Sequence, residues 1–324
     1  MLIVFCKSVN AQDPVLSQPF VASQYLSPAS VGSGGYGQRI QNNVRSQFID
    51  GINLYRTVAM GWDTRFNRRD PELINYMGIG AQIMSDQVMG GIMQTNYFTM
   101  NMAYHLFLDK QDYRNFSLGL GVTFSQISLD KSKLRFGDQY DYAAIYTGNS
   151  SLESLRPFPS KFSVNSGLLY TVHNEQSFMQ LGVNAFYYSK PEFISLSLNQ
   201  NAGLKASSFI NLEKVFPNAY TLVLHGSYTT KDQKSNFFAG GAIGLPFNYK
   251  MDEVRRLYLG CFYRVGDAII PTVSLMLNKY SLGLSYDIYN NDISAASMKQ
   301  NGFEITLSSS FGEKRNNFLR TLFD

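Results

Sequence analysis

Three histidines are the best candidates for acid–base chemistry in this chain of 324 residues. His105 and His225 occupy polar positions in segments where apolar and polar residues alternate, and His173 falls in a predicted turn. Nucleophilic catalysis needs a serine or similar group within hydrogen-bond reach of such a base, and no such pair on one wall can be identified. We therefore expect hydrogen-bonded polar histidines, and the sequence predicts no enzyme.

Two other motifs resemble known binding loops, one for calcium and one for phosphate, but neither is a convincing match. Residues 138–141 place two aspartates in a long loop, which suits calcium, although paired loop acids are usually only solvated. Residues 32–37 are rich in glycine, but no Lys-Ser or Lys-Thr follows, as a P-loop requires. No cysteine and histidine spacing resembles a zinc site. We expect neither a metal nor a cofactor.

The composition indicates an ordered chain that is poor in charge. Charged residues make up 16% of it and aromatic residues 14%, against about 25% charged residues in an average soluble domain. The net charge of +4 is spread along the chain, so nucleic acid is not an expected partner. No apolar run approaches the ~18 residues of a membrane helix. These features fit a soluble all-β protein or a membrane barrel.

Period-two alternation decides between helix and strand. Between Phe116 and Phe124, one face carries large apolar side chains and the other carries glycine, serine and threonine. This is the pattern of a strand with one apolar face. The same pattern recurs along the chain and predicts an all-β fold, a transmembrane antiparallel β-barrel of about 14 strands. The predicted spans are 37–48, 55–64, 76–84, 92–107, 114–128, 161–171, 177–189, 204–215, 218–230, 236–246, 256–265, 268–278, 280–289 and 301–311.

The predicted loops that follow odd-numbered strands tend to be longer than those that follow even-numbered strands. The loops near 129–160, 190–203 and 290–300 all follow odd-numbered strands, whereas the tight turns near 173–175, 217–218 and 278–279 follow even-numbered ones. Membrane barrels have long external loops and short periplasmic turns, and a soluble sandwich has no reason for such sorting. The loops near 65–75 and 246–255 are long exceptions.

Charged residues fall on the polar side of the alternation, which we assign to the lumen. A charge that faced lipid at mid-depth would cost ~2–4 kcal/mol for Arg or Lys. The signs are mixed, so these groups are expected to pair and close the lumen, although a diffusion pore also tolerates mixed rings. The expected lumen network comprises Arg39, Arg45, Asp63, Arg65, Arg264, Asp287 and Glu304, with Lys205 and Glu213 on the same face.

The N-terminal residues resemble the end of a secretory signal, with small residues at Val9 and Ala11 and cleavage expected before Gln12. We therefore divide the chain into a residual signal peptide (1–11), an N-terminal segment (12–36), the barrel (37–312) and a C-terminal tail (313–324). The N-terminal segment is expected either to fill the lumen as a plug or to bind periplasmic partners. Cys6 is expected to be removed, and Cys261 to be a small apolar strand residue.

Several blocks, in order, resemble one family. The chain reads Asp-Pro-Val-Leu-Ser-Gln from Asp13 and Leu-Ser-Pro-Ala-Ser-Val-Gly from Leu26, and it is similar in this opening to the PorP/SprF family of type IX secretion outer-membrane proteins of Bacteroidetes. Ser27 stands where that family usually has Asn. Further similar blocks are residues 78–86, 103–106, 284–288 and 302–307.

The resemblance implies a non-enzymatic barrel in the cell outer membrane. It implies a role in exporting or anchoring a secreted cargo protein, such as a gliding adhesin, that carries a C-terminal sorting domain. Further implied partners are other type IX secretion components, including periplasmic lipoproteins, and outer-membrane lipid. The expected external contact surface is the aromatic loop with Phe136, Tyr140, Tyr142 and Tyr146.

The main alternative is a passive outer-membrane channel or small-solute porin, which mixed lumen charge does not exclude. An outer-membrane lipase needs serine and histidine on the lipid-facing wall, where His105 and His225 do not lie. A soluble β-sandwich would be found in the periplasm and extracted without detergent.

Overall fold

The computed structural model describes residues 14–66, 75–109, 113–133, 160–188, 203–231, 234–247, 255–290, 299–314, 319 and 321–323. In these ranges, fourteen strands form one closed antiparallel barrel. Their bounds are β1 Tyr36–Ile49, β2 Ile52–Phe66, β3 Tyr76–Val88, β4 Met93–Phe107, β5 Arg114–Leu129, β6 Lys161–His173, β7 Ser177–Tyr188, β8 Leu204–Val215, β9 Thr221–Lys231, β10 Lys234–Pro246, β11 Arg255–Arg264, β12 Ala268–Leu277, β13 Tyr280–Tyr289 and β14 Gln300–Lys314.

The first and last strands close the sheet. β1 pairs with β14 from Tyr36 opposite Lys314 to Ile49 opposite Gln300, and it pairs with β2 on its other side. Closure leaves no strand edge with unpaired backbone groups, which is the condition for a sheet to cross lipid. The predicted all-β barrel of about 14 strands is therefore confirmed.

An even number of antiparallel strands makes β1 begin and β14 end at the same end of the barrel, here named the terminal end. The opposite end, named the loop end, carries the connections between β5 and β6 and between β7 and β8. External loops of such barrels are longer than periplasmic turns, which assigns the loop end to the cell exterior.

The outer wall is apolar. Leu118, Leu120 and Val122 of β5 are each about half exposed, and the intervening Gly119 and Gly121 point inward. Cys261 also lies on the outer wall, as a free and exposed thiol. No helix in the described ranges is long and apolar enough to span a membrane.

The packed core lies inside the barrel and combines the wall with residues near each end of the chain, Phe20 and Val21 on one side and Leu319, Leu322 and Phe323 on the other. Phe238, Tyr258 and Phe262 of the wall point inward and contact Phe20 and Phe323 in one apolar cluster. The alternation misses this, because β11 carries large side chains on both faces. The apolar cluster thus draws most of its wall residues from β9–β12, whereas the buried charges Arg39, Arg45, Asp63, Asp287 and Glu304 lie on β1, β2, β13 and β14.

The structure corrects three local predictions. β2 begins at Ile52 rather than residue 55, because Asp50 and Gly51 both have positive φ and form a two-residue hairpin turn. Asp-Gly is a favoured pair for that turn type. His173 is the last residue of β6 and is buried, not in a turn. β9 begins at Thr221, three residues later than predicted.

The free-energy cost of a charged side chain on the outer wall should increase with its depth in the membrane. Leu120 lies in the middle of β5 and is 51% exposed, so Leu120→Arg is expected to lower the free energy of unfolding by ~2–4 kcal/mol. The measurement is a reversible denaturant titration in lipid vesicles.

The control for this substitution is Leu204→Arg. Leu204 is as exposed as Leu120 but begins β8 at the loop end, where the expected cost is only ~0–1 kcal/mol. Equal losses for the two variants would contradict the assignment of a depth-graded lipid face.

Candidate functional site: the filled lumen

Residues 14–33, named here the lumenal segment, run through the inside of the barrel. Ser17 contacts Asp287 and Glu304, which lie towards the loop end of their strands. Gly32 contacts Asp63, which lies near the terminal end of β2. Between them the segment forms a short helix over Ser23–Leu26 and a 3-10 turn over Pro28–Ser30. The segment therefore extends along the barrel axis and enters β1 at the terminal end.

Glu304 binds the backbone of this segment. Its carboxylate accepts hydrogen bonds from the backbone N–H groups of Ser17 at 2.5 Å and Gln18 at 3.1 Å, and from the Asn43 side chain at 2.9 Å. The carboxylate is completely buried. A buried carboxylate is tolerated only where such donors replace its water shell. Glu304 therefore depends on the N–H groups of the segment, and these N–H groups depend on Glu304 as their acceptor.

Asp287 lies beside Glu304 and joins two arginines. Its Oδ2 atom lies 2.8 Å from Arg45 Nη2 and 2.9 Å from Arg264 Nη2, and its Oδ1 atom accepts a hydrogen bond from Ser17 Oγ at 2.6 Å. Arg264 also pairs with Asp267 at 2.5 Å. The charged cluster of Arg45, Arg264, Asp267 and Asp287 is thus connected to the lumenal segment through Ser17.

A second pair holds the other end of the segment. Arg39 Nε lies 3.0 Å from Asp63 Oδ1, and the Asp63 carboxylate accepts a hydrogen bond from the Gly32 N–H at 2.7 Å. Arg39 also donates to the Ser30 carbonyl at 3.1 Å. Arg65, the remaining member of the expected network, is half-buried beside Gly32.

The C-terminal residues enter the same lumen at the terminal end. The Leu322 N–H donates to Glu213 at 2.8 Å, and the Phe323 ring packs on Phe178 and Phe20. Tyr258 donates to the other Glu213 oxygen at 3.0 Å. Residues 14–33 and 321–323 thus share the interior, and the sequence patterns did not predict this role for the tail.

Wall glycines let the lumenal segment approach closely. An added Cβ at Gly119 would lie 2.2 Å from the Ala29 nitrogen, and one at Gly78 would lie 2.1 Å from the Val31 oxygen. Such distances leave no room for any side chain. The glycines of the lumen face therefore form the surface on which the segment packs.

Two of the buried histidines, His105 and His225, are held by polar contacts of their rings. His105 contacts Ser117 Oγ at 2.6 Å, a serine–histidine pair on the lumen face that was not predicted from the sequence. Its other ring nitrogen contacts the Val31 carbonyl at 2.8 Å, which adds another link to the lumenal segment. His225 contacts Asn211 at 2.6 Å and packs against Phe20. Among the described residues, no group of three or more His, Cys, Asp or Glu side chains could hold a metal ion.

A cavity of about 450 Å³, named here the vestibule, lies at the loop end above the lumenal segment. Its lining includes Pro14 and Leu16 of the segment and Lys205, Lys231 and Lys234 of the wall. The loop aromatics Phe136, Tyr140, Tyr142 and Tyr146 fall outside the described residues, so their predicted contact surface stays a prediction.

These features define an outer-membrane β-barrel with a lipid-facing outer wall and a filled interior. The chain belongs to the family described as type IX secretion system membrane protein PorP/SprF, whose model matches residues 8–309. Membership implies partnership with other components of type IX secretion. The family and the fold are those of secretion and transport proteins.

Similar solved structures are also outer-membrane barrels. One is a TodX deltaS2S3 mutant, a monoaromatic hydrocarbon channel, with a TM-score of 0.53 at 9% identity over 88% of this chain and 93% of that one. Another is the CymD monoaromatic hydrocarbon channel, with a TM-score of 0.50 at 10% identity over 90% and 93%. Identities this low establish the fold alone. No curated protein sequence matches the chain significantly.

Proposed function

We propose that this barrel binds a secreted cargo protein of adhesin type and exports it or anchors it at the cell surface, without catalysing a reaction. The observation that carries the proposal is the filled lumen. Residues 14–33 pack against the wall, and Asp63, Asp287 and Glu304 fix them by hydrogen bonds to the segment. A barrel stabilised around its own chain is suited to presenting a surface rather than to passing solutes.

We infer that residues 12–36 act as a permanent plug and that the buried charges maintain it. Each carboxylate that contacts the segment is also neutralised or hydrogen-bonded by the wall, as Arg39 does for Asp63 and Arg45 for Asp287. Withdrawal of the segment would leave Glu304 without two of its donors. Because unpaired buried charges are costly, the closed state is expected to dominate.

The alternative is a passive channel for small solutes. The two similar structures described above are monoaromatic hydrocarbon channels, but their likeness to this chain concerns the fold only. A channel needs a continuous path along the axis. The vestibule occupies the loop end, whereas Phe20, Phe178 and Phe323 pack together below it, so the packing favours the binding function.

Affinity capture from native membranes in mild detergent tests this proposal. Since residues 14–33 and 321–323 lie inside the lumen, the tag belongs in an exposed turn: either at Asn278–Lys279 on the terminal end or at Met89–Gly91 on the loop end. Mass spectrometry is expected to identify a large secreted protein with a C-terminal sorting domain, together with type IX lipoproteins. The untagged strain is the control.

Comparing the two tag positions locates the partner. A partner at the cell surface should be recovered better with the tag at the terminal end, which leaves the loop end clear. Recovery of the barrel alone, with both tags, would refute the cargo-binding function.

A further inference from the structure

Asn42 places a primary amide on the outer wall of the barrel. Its neighbours Gln41 and Asn43 are buried and hydrogen-bond to the lumenal segment, so Asn42, which lies between them, points outward. Asn42 is directly opposite Leu307 at the centre of β14, and directly opposite Met60 near the centre of β2. The amide therefore lies at the middle of the membrane, where no water is available to it.

The side chains around this amide are apolar. Ile40 and Val44 are the next outward residues of β1, and Leu307 and Met60 flank Asn42 on the two neighbouring strands. Among the described residues, none forms a hydrogen bond with the Asn42 side chain. Lipid chains cannot form one either, and an amide without a partner in an apolar medium is costly. The amide is thus unsatisfied in the isolated barrel.

Asn42 is an exception among the strand centres. In the fourteen strands that the structure describes, no other centre carries an asparagine, a glutamine or a charged residue on the outer face. Ser166 and Ser208 are the nearest cases, and a serine hydroxyl can hydrogen-bond to the backbone of its own strand. The fold does not need an amide here, because an apolar side chain would be better solvated by lipid. Asn42 therefore points to a partner inside the membrane.

We propose that the outward face of β14, β1 and β2, named here the closure face, binds a second copy of this chain and pairs the two Asn42 amides on a twofold axis. A primary amide is both donor and acceptor, so it is its own complement. A twofold dimer brings identical surfaces into contact, which places each amide against the other. Met60 and Leu307 on either side of Asn42 supply apolar packing around the pair. The dimer does not depend on the proposed cargo.

Photo-crosslinking in native membranes tests the closure face. A benzophenone amino acid replaces Val44, which points outward two residues from Asn42, so the amide stays in place. Irradiation is expected to give a product of twice the mass of the barrel, and mass spectrometry should assign both halves to this chain. The matched control carries the same amino acid at Val183, an outward residue of β7 on the far side of the barrel. The control should give no dimer.

Asn42→Leu tests the amide itself. The barrel should still fold, because leucine has a similar size and is well solvated by lipid. In sedimentation equilibrium of the purified full-length barrel in detergent, the dissociation constant of the dimer should rise roughly tenfold, because the hydrogen bonds between the two copies are lost. The matched control is Ser208→Leu, which removes a polar group from the outer face at the centre of β8. It should leave the dissociation constant unchanged.

A wild-type barrel that stays monomeric and gives no dimer from position 44 would overturn the inference. A cross-link from this position to a different membrane protein would also overturn it and assign the closure face to that protein. Equal dissociation constants for wild type and Asn42→Leu would show that the amide is not the contact between copies. A barrel that dimerises through Asn42 but captures no secreted protein supports the dimer and refutes the proposed function alone.

Discussion

Asp287→Asn should destabilise the barrel by ~3–5 kcal/mol. The substitution keeps the size of the side chain but removes the charge that Arg45 and Arg264 share at 2.8 and 2.9 Å. Both arginines are at least 95% buried, so water cannot replace the carboxylate. Removing one member of a buried ion pair costs far more than the pair itself contributes, because the remaining charge is left uncompensated.

Equilibrium unfolding in guanidinium chloride measures this loss. The chain has a single tryptophan, Trp62, on the outer wall, so its emission reports the contact of β2 with detergent or lipid. The matched control is Asp130→Asn. Asp130 pairs with Lys133 at 3.7 Å on the exposed surface, where an ion pair contributes little, and no measurable change is expected.

An Asp287→Asn barrel with wild-type stability would show that the cluster of Arg45, Arg264 and Asp287 does not hold the interior together. A smaller loss shared equally by the control would point to a general effect of net charge instead.

Gly119→Ala should displace the lumenal segment. The added Cβ would lie 2.2 Å from the Ala29 nitrogen and 2.4 Å from its Cα atom, and backbone atoms cannot rotate away as a side chain does. Overpacking of this kind costs ~1–3 kcal/mol. Hydrogen exchange is the direct measurement, and the backbone amides of Ser27 and of residues 29–33 are expected to lose protection.

The matched control for this substitution is Gly226→Ala. Its added Cβ would meet only Ile210 Cγ2 at 3.4 Å, so stability should change by less than ~0.5 kcal/mol and protection of the segment should not change. Full protection in the Gly119→Ala barrel would contradict the close packing of the segment on β5.

The sequence predicts the wall because each strand faces two different environments. Side-chain alternation located β5 within one residue of its bounds, since its outer side chains are large and apolar and its inner ones small and polar. The rule is less effective in β1, where Asn42 and Ser46 lie on the outer side. It located β11 within one residue as well, but it did not predict that the inward Tyr258 and Phe262 belong to the core. The Asp50–Gly51 turn could have been predicted from its residue pair.

The interior depends on contacts that no local pattern contains. The inward direction of Arg45 and Asp287 follows from the cost of a charge in lipid, but their pairing joins residues 242 positions apart. It depends on the register in which β1 closes on β14. The close fit of Gly78 and Gly119 to the lumenal segment likewise requires the fold, because a glycine in a strand has several structural causes.

Single-channel recording of the purified wild-type barrel in planar bilayers tests most directly the claim that the chain fills its own lumen. A filled lumen predicts a quiet membrane with no stepwise conductance, because Phe20, Phe178 and Phe323 pack together across the path below the vestibule. Stable, stepwise open-channel currents from the wild-type protein would contradict the filled lumen and place the passive-channel function first.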